Sequence, residues 1–173
     1  MFKNPFRRVI AERHQRHPCH VGSLSIGEAY DESADSLVRF ATGLVGPSDA
    51  ADVVSKAMLR VLESKQWHRV RDPRSYLFRS VLNEARMHRR SDVRRRAREE
   101  SFSRPEAKED ERLAEALDCL RLLTTRQCAV VVLTYWHDLD QSSIARLLGI
   151  TRGSVSQHIR RAHARLQEVL EHA

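Results

Sequence analysis

Apolar residues recur every three or four positions in three segments of the first half of the chain, and this spacing predicts three α-helices. The first spans residues 24–45 and ends at Gly46, which a proline follows. Ser48 is expected to cap the second helix, and Asp72, also followed by a proline, is expected to start the third. The predicted inward-facing residues of the second and third helices are Val54, Met58, Val61, Leu62, Leu77, Val81, Leu82 and Ala85.

The second half of the chain continues the helical spacing. It resumes near Leu113, and Thr124 or Thr125 is expected to cap the next helix. That helix is predicted to carry an apolar stripe of Cys128, Val131, Val132 and Tyr135.

Residues 140–166 predict a helix-turn-helix. Ala145 is small enough to let two helices approach, and Gly149 supplies the positive φ that makes the turn. Thr151 is expected to cap the second helix. The buried face of that helix is predicted to consist of Val155, Ile159, Ala162 and Leu166.

The charge pattern divides the chain into domains. Residues 86–98 contain seven arginines and one aspartate, whereas residues 99–111 contain six acids against Arg104 and Lys108. We therefore predict an all-α fold of two small helical domains, residues 23–98 and 112–173, joined by a flexible acidic linker at 99–111. The linker composition alone fits either a disordered tether or a segment that lies on a basic surface.

Residues 1–22 are basic, rich in histidine and without periodicity, which indicates a flexible tail. His14, His17, Cys19 and His20 could bind zinc, but no paired spacing preorganises a site, so a plain tail is the simpler interpretation and no metal is predicted.

Composition narrows the function classes. The net charge is +7, which favours an acidic or nucleic-acid partner. No apolar run is long enough to cross a membrane, no signal peptide is visible, and the three cysteines form no disulfide framework, so we expect a cytoplasmic protein. Phosphate-loop, nucleophile-elbow and zinc-protease motifs are absent, so neither an enzyme nor a cofactor is predicted.

The helix-turn-helix indicates binding to duplex DNA. Residues 141–167 hold five arginines and no acid, as a helix that enters the major groove requires. A surface helical hairpin with solvated charges is the alternative, but the joint placement of Ala145, Gly149 and Val155 disfavours it.

Both halves together resemble RNA polymerase sigma factors of the sigma-70 family, in the two-domain extracytoplasmic-function (ECF) group. In the second half the similar segments are LTTRQCAVVVL at 123–133, IARLLGI at 144–150, GSVS at 153–156 and RAHARL at 161–166. In the first half they are SDAADVV at 48–54 and DPRSYLFRSVLN at 72–83. The resemblance implies that residues 23–98 are sigma domain 2 and that residues 112–173 are sigma domain 4.

The resemblance implies that domain 4 reads the upstream promoter element as duplex. The residues expected there are Thr151, Arg152, Ser154, Gln157, Arg160, Arg161 and Arg165. Glutamine can pair with adenine and arginine with guanine, but each of these side chains could equally contact phosphate without reading sequence.

Domain 2 is expected to capture the melted downstream element. The residues expected to do so are Trp67, His68, Arg69, Arg71, Arg74, Tyr76, Asn83, Arg86, Arg89 and Arg90. Core packing is an equal alternative for Trp67 and Tyr76. Residues 86–98 are expected to clamp phosphates, with a solvated helix end as the alternative.

Core polymerase docking is expected at Asp49, Asp52, Val53 and Lys56. The family commonly carries glutamine followed by an acid where this chain has Ser55 and Lys56, so a cation stands where an acid is expected. The partners implied are core RNA polymerase through its clamp helices and flap, promoter DNA both duplex and melted, and an anti-sigma factor, with no membrane.

Two other functions fit parts of the sequence. A stand-alone helix-turn-helix regulator would leave Trp67 and the basic segment 86–98 unexplained. A sigma-like interaction protein with weakened core binding is supported only by Ser55 and Lys56.

Overall fold

A computed structural model of the chain describes residues 25–96 and 111–171, and all regular structure within these two ranges is helical. The helices are α1 (Ile26–Asp31), α2 (Ala34–Val45), α3 (Pro47–Glu63), α4 (Pro73–Arg96), α5 (Glu111–Arg121), α6 (Thr125–Tyr135), α7 (Gln141–Leu148) and α8 (Arg152–Glu171), with a short 3-10 helix at Trp67–Arg69. The all-α prediction is confirmed.

The first predicted helix is in fact two helices. A turn at Glu32 and Ser33 separates α1 from α2, and the backbone N–H of Ser33 bonds to the carbonyl of Tyr30 at 2.9 Å. The prediction of one helix over 24–45 was wrong because this turn contains neither glycine nor proline. Ser33 is buried at the turn.

The start of α3 also differs from the prediction. Pro47 is its first residue and Gly46, with φ of 95°, occupies the cap position, so Ser48 is not the cap. Val54 and Val61 are buried as expected, but Leu62 is 60% exposed. Leu62 lies one residue beyond the buried stripe, on the side of α3 that faces solvent.

The predicted start of α4 is confirmed. Both carboxylate oxygens of Asp72 accept hydrogen bonds from Ser75, one from its backbone N–H at 2.9 Å and one from its hydroxyl at 2.7 Å. Because this cap fixes the first turn, α4 can present Leu77, Phe78 and Val81 to the core, where all three are fully buried.

The helix-turn-helix is built as predicted. Gly149 adopts a left-handed conformation with φ of 65° at the end of α7, and Val155 and Ala162 of α8 are completely buried. Thr124, of the two threonines considered, caps α6 through a bond from the N–H of Gln127. Tyr135 departs from the predicted stripe because it is 46% exposed.

Two predicted segments fall largely outside the described residues. The tail at 1–22, with its candidate zinc ligands His14, His17, Cys19 and His20, lies outside them entirely. Of the acidic linker at 99–111, only Glu111 is described, and it begins α5 instead of ending the linker.

The two halves of the chain pack against each other, a feature that the sequence did not predict. α2 and α4 of the first half contact α6 and α7 of the second, and the buried residues form one continuous cluster. The backbone approaches closely at Gly43, where an added Cβ would lie 2.5 Å and 2.9 Å from the two methyl carbons of Val132. The absence of a side chain at residue 43 therefore lets α2 and α6 meet.

Polar and aromatic contacts complete this junction. The Cys128 thiol donates to the carbonyl of Gly43 at 3.1 Å, and burial raises the pKa of that thiol to about 12. His137 lies edge-on to Phe40 and Phe78, with ring centroids 6.2 Å and 6.1 Å away. Cys128 is accordingly a neutral packing residue, not a reactive thiolate.

Candidate nucleic-acid and polymerase interfaces

The recognition helix α8 keeps its cationic side chains in solvent. Arg152, Gln157, Arg160 and Arg161 are all exposed, on the side opposite the buried Val155 and Ala162. Exposed Gly153 lies on the same side and lets a partner approach the backbone. This face has the residue types and the access that base reading requires.

Three other residues predicted for this face are engaged locally. The Thr151 hydroxyl accepts from the N–H of Ser154 at 3.1 Å, and the two hydroxyls lie 2.9 Å apart. Arg165 pairs with Glu168 at 3.1 Å. Thr151 thus caps α8 as predicted, and contact of Ser154 or Arg165 with DNA would compete with these bonds.

Helix α7 holds α8 in a fixed orientation. Asp140 caps α7 through bonds from Ser142 and Ser143, and these bonds, the Ser143 hydroxyl foremost, lower the pKa of the Asp140 carboxyl. The Ser156 hydroxyl of α8 donates to the Gln141 side chain at 2.7 Å. The orientation of α8 is therefore set by the capped helix α7, by the hydrogen bond between Ser156 and Gln141, and by apolar packing.

The loop before α4 contains both exposed cations and a pair of aromatic rings. His68, Arg69 and Arg71 are exposed. Trp67 and Tyr76 meet edge-to-face with centroids 6.0 Å apart, and both are partly buried against the core. The rings thus pack on each other while keeping some surface open, so packing and base stacking are compatible here.

On α4, most of the predicted contact residues are exposed, but Arg89 is engaged in contacts with the second half of the chain. Asn83, Arg86 and Arg90 follow helical spacing along one exposed face, and Arg74 lies over the Phe78 ring at 5.7 Å. Arg89, by contrast, reaches the second half of the chain.

Arg89 is a bridge between the two halves. One terminal nitrogen of its guanidinium donates to the carbonyls of Arg121 and Leu123 at 3.0 Å and 2.7 Å. These carbonyls belong to the last residue of α5 and to the residue before the α6 cap, and the carbonyls at the end of a helix lack partners within it. A residue predicted to bind promoter DNA is thus committed to the junction between the domains.

The predicted docking residues lie along α3. Lys56 pairs with Asp52 at 2.6 Å, both exposed, and the hydrogen bond with Asp52 raises the pKa of Lys56. Asp49 lies 3.9 Å from a ring nitrogen of His88. Val53 is fully buried in the core, so its side chain stabilises α3 and is not presented to a partner.

One group among the described residues could hold a cation, namely Asp49, His88 and Asp92, whose ligand atoms lie within 4.8 Å of one another. However, Asp92 faces one ring nitrogen of His88 at 3.2 Å while Asp49 faces the other, and Asp92 also pairs with Arg95. Because the two carboxylates lie at opposite nitrogens of the His88 ring, these residues form a surface charge network and do not converge on one ion.

The sequence prediction missed the residues of the junction. Gly43, Cys128 and His137 were not recognised as inter-domain contacts, and Arg126 and His158, which line a groove at the junction, were not singled out. Gly43 was the available sequence signal of the junction, because a glycine in the interior of a helix commonly marks a close approach of another element.

The geometry defines a helical protein whose second half contains a helix-turn-helix with an exposed cationic face. Comparison with known proteins narrows that class. Residues 29–96 match the model "Sigma-70 region 2" and residues 112–168 match "Sigma-70, region 4". The "RNA polymerase sigma-E factor" of Streptomyces avermitilis is 33% identical over 164 residues, which is 88% of each chain, and that of Streptomyces antibioticus is 31% identical over 160 residues, 86% of each.

Two solved structures share the fold. The first is the sigma factor RpoE in complex with the anti-sigma factor NepR from Bartonella quintana, with TM-score 0.61, 19% identity, and coverage of 84% of this chain and 96% of that one. The second is CnrH in complex with the cytosolic domain of CnrY, with TM-score 0.57, 27% identity, and coverage of 84% and 87%.

The chain belongs to the sigma-70 family of RNA polymerase sigma factors, in the extracytoplasmic-function group, and functions in transcription initiation. A stand-alone regulator would carry a ligand-binding or receiver domain before its helix-turn-helix, but residues 29–96 match Sigma-70 region 2 instead. The sigma-factor prediction is therefore confirmed over that alternative. Within the described residues, no helix is both long and apolar enough to cross a membrane.

Proposed function

We propose that this sigma factor docks on core RNA polymerase through the exposed side of α3 and reads the promoter with two separate surfaces. Residues 23–98 would act as sigma domain 2, with the loop before α4 and the exposed face of α4 on the melted downstream element. Residues 112–173 would act as sigma domain 4, with α8 in the major groove of the upstream element.

The observation that carries the proposal is the exposed face of α8. Gln157 and Arg161 are one helical turn apart on α8 and have no described ion pair or hydrogen bond. Thr151 caps that helix, and the Ser156 hydroxyl ties it to Gln141 of α7. Base reading needs polar side chains that are free to bond and held in register by a rigid support. Arg160 is exposed beside them and suits a phosphate contact.

In this structure the two domains pack against each other, which we call the closed arrangement. This packing limits promoter binding by the chain before it binds the polymerase. The two promoter elements are separated along the DNA, whereas α4 and α6 here touch through Arg89, Leu123 and their neighbours. Both elements can be engaged together only after the domains separate. Separation releases Arg89 from the two carbonyls and makes it available to the downstream element.

The proposed binding partners are supported by membership of the sigma-70 family and by the two similar solved structures. The proposed partners are the clamp helices and flap of core polymerase, promoter DNA as duplex and as melted strand, and an anti-sigma factor. The anti-sigma factor is supported by the neighbouring structure of RpoE, which is bound to the anti-sigma factor NepR. CnrH is likewise bound to another protein, the cytosolic domain of CnrY. Transcript synthesis would remain with the polymerase, so we infer that the chain itself is not an enzyme and works in the cytoplasm.

Reconstituted transcription tests the proposal directly. Purified chain is added to core polymerase and a library of promoter fragments, and initiated transcripts are sequenced. The expected result is a set of start sites that share two spaced elements and that disappear with Gln157→Ala combined with Arg161→Ala. Start sites unchanged by that double variant would overturn the role of α8, and failure to bind core would overturn the role of α3.

A further inference from the structure

A cationic groove lies at the junction of the two domains. Arg86, Arg89 and Arg90 of its lining are also expected to contact the downstream promoter element, whereas Arg126 and His158 have no proposed role in DNA or polymerase binding. Its walls are the second half of α4 on one side and the start of α6 with His158 of α8 on the other. The cavity volume is about 780 Å³, within the range of small-molecule sites.

The lining of the groove is almost uniformly positive. Five arginines line it, namely Arg86, Arg89, Arg90, Arg94 and Arg126, and His158 is beside them. Among the described residues, no carboxylate lines the groove. Burial is the largest cause that lowers the pKa of His158, and the positive charges of Arg126 and Arg161 lower that pKa further.

Three of these arginines have guanidinium groups available to a ligand. Within the part of the chain that the structure describes, the side chains of Arg86, Arg90 and Arg126 make no hydrogen bond or ion pair, and all three are exposed. Two of them come from the first domain and one from the second. Like charges held together across a junction oppose its closure, and a bound anion would remove that opposition.

The chemistry of the lining favours phosphate. A guanidinium presents a planar fork of donors that binds phosphate oxygens in pairs. The first turn of α6 also lines the groove through Thr125 and Arg126, and the N-terminal end of a helix attracts anions. Val93 and Leu123 add an apolar wall on which a base could lie.

The size of the groove favours a small ligand over a protein segment. An α-helix with its side chains is about 10–12 Å across, so the groove holds roughly one and a half turns of helix. A folded helix of a partner would therefore engage only a fraction of its surface here.

We propose that this groove binds a small polyphosphate, either an inorganic chain of a few phosphates or a nucleoside polyphosphate, and that the bound ligand holds the two domains together. Because its walls come from both domains, the ligand binds the closed arrangement better than the open one and stabilises it. The site itself does not depend on the proposed promoter contacts; only its consequence for transcription does.

The test is calorimetric titration of the full-length chain without DNA or polymerase, at an ionic strength of about 0.15 M. The probes are tripolyphosphate, ATP without magnesium, and a hexaglutamate peptide. The variant Arg90→Gln with Arg126→Gln removes one guanidinium from each wall. The control, Arg39→Gln with Arg146→Gln, removes the same charge from exposed positions outside the groove.

We expect saturable binding of one phosphate probe per chain, weakened at least about tenfold by the groove variant and less than about twofold by the control. If ATP binds more tightly than tripolyphosphate, the base contacts the apolar wall formed by Val93 and Leu123. If the two probes bind equally, the groove recognises the phosphates alone. Equal losses in the two double variants, no saturable binding, or preference for hexaglutamate would overturn the proposal.

Hydrogen exchange with the bound probe tests the bridging role separately. Slower exchange is expected both in the second half of α4 and at the start of α6. Protection confined to one domain would overturn the claim that the ligand joins them. Neither result depends on whether the chain docks on polymerase, so failure here and failure of the proposed function remain distinguishable.

Discussion

Helices α4 and α8 both carry residues predicted to bind promoter DNA, but they are presented very differently. The reading face of α8 points to solvent, and its arginines at 152, 160 and 161 are exposed. The α4 helix has Arg89 bonded to two carbonyls of the second domain, and α7 lies along it. If α8 reads the upstream element and α4 the downstream one, as we propose, α8 is accessible in this arrangement, whereas Arg89 of α4 becomes accessible only when the domains separate.

The difference arises from the packing on the opposite side of each helix. Helix α8 is held by its own domain, through Val155 and Ala162. Helix α4 belongs to a domain whose α2 carries Gly43 at the point of contact with α6, so the second domain can lie close enough for Arg89 to reach it. The absence of a side chain at residue 43 therefore contributes to holding the second domain against α4.

The largest effect is expected from Phe40→Ala. Phe40 is fully buried between Phe78 of its own domain and His137 of the other, so truncation leaves a cavity in the shared cluster. We expect the free energy of unfolding to fall by about 3–5 kcal/mol, measured by urea denaturation. Val38→Ala, on the same helix but 37% exposed, is the control and should cost much less. Separate unfolding of the two domains in the wild type would contradict a shared core.

The next effect in size is expected from Gly43→Ala. The new Cβ would lie 2.5 Å from a Val132 methyl and 3.1 Å from the Trp136 ring, so the junction must open or shift. Overpacking of this kind costs about 1–3 kcal/mol, while alanine itself favours the helix. We expect a larger radius of gyration by X-ray scattering and tighter binding of single-stranded downstream promoter DNA.

Gly27→Ala is the matched control for that experiment. A Cβ at residue 27 meets nothing closer than the Ser25 hydroxyl at 3.9 Å, so scattering and DNA binding should match the wild type. An unchanged radius in Gly43→Ala would mean that the junction absorbs the extra carbon without opening.

Arg161→Ala tests the upstream reader on its own. Loss of a base contact by an exposed arginine should weaken specific promoter binding by about 1–3 kcal/mol, measured by fluorescence anisotropy of isolated promoter duplexes. Arg165→Ala should have a smaller effect because Arg165 is already paired with Glu168. If both variants lose affinity equally for specific and random duplexes, Arg161 contacts phosphate only.

The smallest effect is expected at Lys56. Lys56→Glu places two acids, residues 52 and 56, one turn apart on the docking side and restores the charge that the family resemblance leads us to expect. We expect core polymerase to bind about threefold to tenfold more tightly, with Lys56→Gln between the two, as measured by titration. Weaker binding by Lys56→Glu would show that Lys56 itself contacts the polymerase.

The local structure was largely predictable from sequence because it depends on near neighbours. The Gly149 turn and the Thr124 and Asp72 caps follow from short-range rules and are confirmed. Of the predicted buried face of α8, Val155 and Ala162 are buried, whereas Ile159 and Leu166 are only partly buried. The break at Ser33 was missed because no residue there demands a turn, and exposed Leu62 was missed because it borders the apolar stripe of α3.

The junction was not predictable because apolar periodicity identifies a buried face without identifying what buries it. Val132 and Cys128 were expected to be buried within their own domain, yet they meet Gly43 across the junction. Arg89 was grouped with Arg86 and Arg90 because spacing alone does not reveal carbonyls supplied from 32 and 34 residues away. The DNA and polymerase contacts themselves remain predictions.

A reversible crosslink at the junction tests most directly whether the domains must separate. In a background with Cys19, Cys119 and Cys128 each changed to alanine, Gly43→Cys with Val132→Cys places two thiols where the Gly43 Cβ position already overlaps Val132, within disulfide reach. Run-off transcription is measured with core polymerase before and after reduction, with the cysteine-free background as the control. The account predicts that the crosslinked chain is inactive and regains activity on reduction. Equal transcription by the fully crosslinked and reduced forms would contradict it.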